Sequence, residues 1–262
     1  MLRSLYTAAT GMNAQEVKMD VIANNLANAS TVGFKKTRAE FEDLFSQTLH
    51  AAQAPDPRGG AEPAPLQVGM GVRTAATTKS QLQGDLLNTN NPTDVAIQGS
   101  GFLRVQLPSG DFAFTRAGNL HVDATGRLVT QHGELIQPGI NVPADTTALT
   151  IKPDGTVQAT TASRPDTPTE LGQLELDTFV NPAGLSSLGN NLYLATPASG
   201  LPVRVKPGEQ GAGTLAQGYL ENANVTAVEE MIVMISAQRS YELSSKVIQT
   251  ADQMLQRLTN LR

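Results

Sequence analysis

All 15 prolines, and all but two of the 23 glycines, fall between positions 53 and 218. Proline removes a backbone donor and blocks helical continuation, and glycine favours turns, so the two residues punctuate a chain. The two ends are therefore free to form long helices, while the middle is cut into short pieces. Charge divides in the same way: residues 1–45 and 219–262 are near neutral, and most of the net charge of −5 belongs to the stretch between them.

The N-terminal end carries a seven-residue pattern: Leu5, Ala8, Met12, Gln15, Met19, Ile22, Leu26 and Ala29. Spacings of three and four along one face make a coiled-coil seam with one polar member. The helix is expected to stop near Asn24-Asn25-Leu26-Ala27-Asn28, with Gly33 as the breaker. A second helix is expected from about Lys35 to Ala52, with Phe41, Leu44, Phe45 and Leu49 on one face. At the other end a long helix is predicted from about Val225 to Leu261. There Met234, Tyr241, Ile248 and Leu255 repeat every seven residues, beside Val233, Ala237, Ser240, Ser244, Val247, Ala251, Met254, Leu258 and Leu261. The small members of this stripe permit close helix approach. Two readings stand: an antiparallel hairpin of the two ends within one chain, or stripes too long for one subunit that also join neighbouring subunits.

The middle alternates with period two. Leu103, Val105 and Leu107 interleave with Arg104 and Gln106; Leu120 and Val122 with His121 and Asp123; Leu174 and Leu176 with Gln173, Glu175 and Asp177. Turns are expected at Pro108–Asp111, Asp123–Gly126 and Pro153–Gly155, which makes this part antiparallel β-structure. Before it, Pro55, Pro57, Gly59, Gly60, Pro63 and Pro65 imply an extended loop. Such a segment can order against a neighbour at modest entropic cost, as a strut between subunits, or serve as a passive linker.

The search for chemistry is negative. An acidic chain of pI about 5.2 offers nucleic acid no basic surface. With no cysteine, disulfides, thiolate catalysis and Cys-based metal sites are excluded. His50, His121 and His132 lack metal-site spacing. The G-x-G pairs at 69–71, 99–101 and 211–213 lack the third glycine of a dinucleotide fingerprint and are expected to be turns. No segment has the roughly 20 apolar residues of a membrane span, and polar residues interrupt the N-terminal helix where a secretory leader would be unbroken. No enzyme activity, cofactor, metal, nucleic acid or membrane insertion is expected.

Leu5-Tyr6-Thr7-Ala8-Ala9-Thr10-Gly11-Met12, followed by the run from Met19 through Asn24, Asn25, Leu26, Ala27, Asn28, Thr31, Gly33 and Phe34 to Lys35, closely resembles the signature of the flagellar rod and hook protein family. Gly218-Tyr219-Leu220-Glu221-Asn222-Ala223-Asn224-Val225, Glu229-Glu230-Met231 and Gln238–Glu242 resemble its C-terminal motif. Asp94–Phe102 and Phe114–Leu120 resemble its central strands. Residues 39–45 and 66–74 are most similar to the distal-rod branch of the family. Leu103, Ala223 and Ser244 depart from the residues usual there.

The resemblance implies a non-enzymatic subunit of a helical homopolymer. Terminal helices would pack through Leu5, Met12, Met19, Ile22 and Leu26, and through Met234, Tyr241, Val247, Ile248, Leu255 and Leu258. Its implied partners are proximal rod proteins below, hook protein above, the P-ring and L-ring bushing around it, and the flagellar type III export apparatus. Its implied place is the basal body across the periplasm, reached without a cleaved signal peptide. The expected fold is α+β: terminal helices forming a coiled-coil-like inner domain (1–45 and 216–262), a connecting segment (46–75) and a central antiparallel β-domain (76–215). The alternatives are a hook or proximal rod subunit, or a ligand-binding β-domain with helical oligomerisation arms.

Overall fold

A computed structural model describes residues 2–50 and 64–260, with the side chains of Leu2, Pro165, Asp166 and residues 258–260 left aside. Two long helices bracket the chain, α1 (Leu2–Ala27) and α2 (Ala227–Asn260), and everything described between them is strand, turn or a single short 3-10 turn. The fold is α+β, as expected. Neither helix is apolar enough to cross a membrane. Thr226 stands at the start of α2: its hydroxyl donates to Glu229 Oε2 (2.5 Å) and its carbonyl accepts the Glu230 amide (3.1 Å), the first bond of the helix. Glu229 and Glu230 also place negative charge in the first turn, where the helix dipole favours it. α1 ends in a turn closed by Asn28, whose carbonyl accepts the Thr31 amide (3.0 Å). Gly33 follows at φ +70°, as a breaker should.

Two compact units result. The first combines residues 2–27, 37–50, 64–78 and 226–260; the second combines 28–36 and 79–225. The helix expected from about Lys35 to Ala52 is absent among its described residues, 35–50. Thr37–Asp43 is a strand paired with Val72–Lys79, and Gln47–His50 pairs antiparallel with Leu66–Val68, Gln47 opposite Val68. Phe41, Leu44, Phe45 and Leu49 share no buried face, and Phe45 is 95% exposed. Local helical spacing lost to pairing partners 16 or more residues away, one of them the threonine-rich, β-favouring Val72–Lys79. The ribbon meets α1 at Gly71 (φ +114°), where an added Cβ would lie 2.2 Å from Thr10 Oγ1, so only glycine fits. Of the proline-rich loop, Pro65 is exposed; Pro55, Pro57, Gly59, Gly60 and Pro63 lie outside the described residues.

The second unit is a β-fold around one aliphatic core that includes Val95, Ile97, Leu103, Val105, Leu120, Ile136 and Leu176. Its largest sheet has nine strands. Phe102–Gln106 runs through it, pairing on one side with Phe112–Thr115 and on the other with Leu135–Gln137 and Leu176–Thr178. Beyond these lie Leu128–Val129 and the edge His121–Val122, and, on the other branch, the edge Val203–Val205. Thr146–Ile151, Thr156–Thr161 and Arg164–Gln173 form a separate three-stranded sheet. The expected turns at 108–111, 123–126 and 153–155 are present, each with its glycine at positive φ. Alternation holds at Leu103 and Val105 and at Leu174 and Leu176, all wholly buried. It breaks at Val122, exposed because its strand is a sheet edge, and at Asp177, buried because Arg104 pairs with it (Nε to Oδ2 2.9 Å).

Candidate assembly surface and the buried ion cluster

Two contacts fix how the helices meet. Asn25 Nδ2 donates to Glu230 Oε2 (3.2 Å), and a Cβ added at Gly11 would lie 3.7 Å from Ser244 Oγ. Fourteen residues separate these contacts on each helix, counted in opposite directions. The helices are therefore antiparallel and hold one register over about four turns. The small residues Gly11 and Ser244 let the backbones approach. Because the site leaves ordinary contact distance for a methyl group, Gly11→Ala removes the helical glycine penalty without a clash. It is expected to stabilise the hairpin by about 0.5–1 kcal/mol. Thermal melting followed at 222 nm checks this; a lower melting temperature refutes the spacing.

Along the seam Ile22 is buried, and Leu5, Met12, Met19 and Leu26 are half-buried. On α2, Ala237 and Ala251 are buried, and Met234, Ile248 and Leu255 are half-buried on the same side. Tyr241 and Val247 are exposed, and the side chain of Leu258 lies outside the described residues. Over its first turns the far side of α2 is apolar too, and beyond them exposed Arg239, Lys246 and Arg257 stand on it. Val228, Ile232 and Ile235 point away from Ala237, with Ile232 63% exposed, and Met231, Leu243, Val247 and Met254 flank them. A helix that is apolar on its partnered face and again on its opposite face has one face too many for a single hairpin. The exposed side of α1 is polar apart from Tyr6 and small alanines.

The Asn-rich motif has specific work at two of its positions. Asn25, 1% exposed, accepts the Thr37 amide at Oδ1 (2.9 Å) and donates to the Thr37 carbonyl (2.8 Å), standing in for a strand partner as well as reaching Glu230. Gly33 is buried, with its amide donating to the Glu221 carbonyl (2.8 Å); an added Cβ would lie 2.8 Å from the Ala117 nitrogen. Phe34 is buried, Leu26, Asn28 and Thr31 are half-buried, and Asn24 and Ala27 are exposed.

Immediately after Phe34 comes a feature the sequence reading did not single out. Lys35, Arg116 and Glu221 meet in the interior of the second unit, Lys35 and Glu221 with no solvent-exposed side-chain surface and Arg116 with almost none. Lys35 Nζ donates to Glu221 Oε1 (2.7 Å) and to the Leu82 carbonyl (2.6 Å). Arg116 Nε donates to Glu221 Oε2 (2.9 Å), and its terminal nitrogens donate to the carbonyls of Gly101 (3.1 Å) and Gly99 (2.9 Å). The Gly84 amide adds a third donor to the carboxylate (3.0 Å). Burial, and next the Arg116 charge, push the Lys35 ammonium below its usual range, against the pull of Glu221. For Glu221, burial acts upward, but Arg116, Lys35 and the Gly84 amide outweigh it and hold the carboxyl below its usual range. Arg116 also lies 5.9 Å over the Phe102 ring, which packs edge-on with Phe179 and Tyr193. The cluster ties one segment from each of the three motif regions into one core.

His50, His121 and His132 are all exposed, and no three His, Asp or Glu among the described residues are grouped to hold a metal. A cavity of about 490 Å³ is walled by polar residues such as Asn28, Thr31, Asn119, Gln131 and Asn191, with His132 at its lining; the neighbouring Glu134 carboxylate accepts from Thr130.

Three family models match the chain in order: "Flagella basal body rod protein" over residues 5–35, "Flagellar hook protein FlgE/F/G D1 domain" over 96–159, and "Flagellar basal body rod FlgEFG protein C-terminal" over 216–261. The chain is 48% identical over 261 residues to the flagellar basal-body rod protein FlgG of Buchnera aphidicola subsp. Acyrthosiphon pisum, covering 100% of both. It is 46% identical over 262 residues to the protein of that name from Caulobacter vibrioides, again covering both fully. The flagellar hook protein FlgE of Helicobacter pylori is 42% identical over 147 residues, 56% of this chain but 20% of the hook protein. The buried cluster falls at the ends of these matched regions or, for Arg116, inside one, and with full-length identity of this order the chain belongs to the flagellar basal-body rod protein family.

Proposed function

We propose that the chain is the structural subunit of the distal flagellar rod, self-assembling into a rigid hollow shaft that carries torque from motor to hook. The observation that carries self-assembly is the apolar patch of Val228, Met231, Ile232 and Ile235 on the outward side of α2, which the hairpin with α1 leaves uncovered. In a helical polymer each α2 would lay this face against a neighbouring subunit, and the residues of the seam would keep each hairpin intact. Proximal rod proteins below, hook protein above, the P and L rings around the shaft and export by the flagellar type III route without a cleaved leader complete the reading. Similarity to rod relatives over their whole length, against one fifth of the hook protein, favours rod over hook. A mechanical subunit requires no catalytic set, and the chemistry described above supplies no candidate for one.

The test is morphology. Full-length protein raised in concentration is expected to pellet as straight tubes or short rods in negative-stain micrographs. Closed small oligomers would favour a ligand-binding β-domain with oligomerisation arms and overturn the rod reading.

A further inference from the structure

The second unit holds a cavity of about 490 Å³ that the assembly reading leaves unused. Residues 130–134 make the tight turn between Leu128–Val129 and Leu135–Gln137. The Thr130 amide on the Glu134 carbonyl (2.9 Å) and the Gly133 amide on the Thr130 carbonyl (3.0 Å) close it. The turn sets Glu134 in the cavity wall, 9% exposed. Its carboxylate Oε2 accepts from the Thr130 hydroxyl, while Oε1 accepts from no described residue and no described cation pairs with the group. A carboxylate so far withdrawn from water is unfavourable without a counter-charge. The one other titratable group in the lining, His132, is exposed.

The other loops of the cavity supply neutral acceptors. Asn119 Nδ2 donates to Gln131 Oε1 (2.9 Å), which leaves Asn119 Oδ1 open, and the Asn190 side chain has no partner among the described residues. Asn190 and Asn191 both adopt the left-handed conformation that asparagine tolerates, at φ +52° and +59°. Asn191 is pinned there, its Nδ2 donating to the Val32 carbonyl (2.9 Å) and its carbonyl accepting the Thr115 hydroxyl (2.9 Å). Val32, Ala117 and Leu192 form the apolar part of the lining.

We propose that this cavity binds a primary ammonium group on an alkyl stem, either a free alkylamine or a lysine side chain of a second copy of the chain. An ammonium has three donors and no acceptor. Glu134 Oε1 meets one and supplies the charge, and the amide oxygens of Asn119 and Asn190 meet the others. The stem lies on the apolar part of the lining, as lysine stems do elsewhere. A guanidinium fork fits less well, because it takes both oxygens of a carboxylate and Thr130 already holds one. A hard divalent cation needs several charged oxygens, and no three acidic or histidine side chains among the described residues are grouped here. The site stands without the rod reading; only the lysine of a second copy rests on it.

The test begins with dilute, isotope-labelled full-length protein titrated with Nα-acetyl-lysine-N-methylamide. The amide resonances of residues 130–134 and 190–192 are expected to shift saturably, and the norleucine analogue, which lacks only the ammonium, should leave them in place. E134Q should bind at least about tenfold more weakly at an unchanged melting temperature. N190D, which adds a second carboxylate at an exposed turn, should bind about two- to fivefold more tightly, a gain that misfolding cannot mimic. Unmoved resonances, or equal binding by E134Q or by the norleucine analogue, overturn the proposal. Tighter binding of the arginine analogue or of calcium overturns the ammonium class. Carbodiimide treatment of polymers mixed from heavy- and light-isotope chains then separates the two sources. A Glu134 peptide joined to a lysine peptide of the other isotope supports the second copy, and analogue binding without that link supports a free amine. Failure of the chain to polymerise overturns the rod reading and leaves the titration standing.

Discussion

Glu221→Gln is expected to destabilise the β-unit by about 3–5 kcal/mol, the cost of breaking a buried ion pair by removing one partner. The substitution keeps shape and volume, so the loss is electrostatic. Both oxygens of Glu221 accept from cationic donors, and Oε1 accepts from the Gly84 amide as well. The amide group of glutamine would turn a donor towards either Lys35 or Arg116 and leave two buried cations without a counter-charge. Most single-domain folds hold 5–15 kcal/mol in reserve, so the variant sits near the edge of folding. The pH dependence separates this account from simple misfit. In the parent, the Glu221 carboxyl titrates below its ordinary 4.5, so its contribution is complete above that value and is lost as pH falls through the folded one. In the variant, Lys35 loses the partner that held its proton. A base titrating lower when folded than its ordinary 10.5 gains stability as pH rises between the two values. The deficit of Glu221→Gln should therefore shrink on raising the pH towards 10.5, measured by urea unfolding across the range. A deficit that is constant with pH would mean that lost packing, not uncompensated charge, sets the cost.

That cluster also shows where sequence reading stops. Both long helices, the break at Gly33 and the turns at Gly110, Gly126 and Gly155 could be read directly, because each depends on local periodicity or on backbone freedom at one residue. Lys35, Arg116 and Glu221 all lie in stretches that carried the family resemblance, yet Lys35 and Glu221 are 186 residues apart and nothing local says that they touch. Two cations and one anion read singly as solvated surface charges; only the fold shows that they are interior. The failed helix at 35–52 has the same root. Phe41, Leu44, Phe45 and Leu49 satisfy helical spacing, but the partner strands Leu66–Val68 and Val72–Lys79, and the grip of Asn25 on Thr37, are non-local. On α2 the sequence pattern marked one side of the helix and not the other. The seven-residue repeat through Met234, Ile248 and Leu255 marks the side turned to α1, and the less regular set of Val228, Ile232 and Ile235 marks the side left open.

This distinction between the two sides of α2 sets the last expected result, that Ile235→Asp abolishes polymerisation and motility without altering the free subunit. Ile235 is half exposed before assembly, so a carboxylate there remains hydrated in the monomer and the hairpin keeps its helical signal and melting temperature. In the polymer the same carboxylate would be buried against an apolar neighbour, at a cost of several kcal/mol. A cost of about 4 kcal/mol raises the concentration needed for assembly by close to a thousandfold, since each 1.4 kcal/mol is a factor of ten. Ile248→Asp supplies the contrast. Ile248 shares the side of Ala237 and Ala251, so its replacement should loosen α2 from α1 and lower helical content already in dilute monomer. Two aspartates thirteen residues apart on one helix thus give two different failures, one of assembly alone and one of the hairpin first. Pelleting assays, circular dichroism of dilute protein and swimming of cells carrying each variant in place of the parent separate them. Ile235→Asp polymer forming at the parent's concentration would show that the outward face of α2 is not where subunits meet.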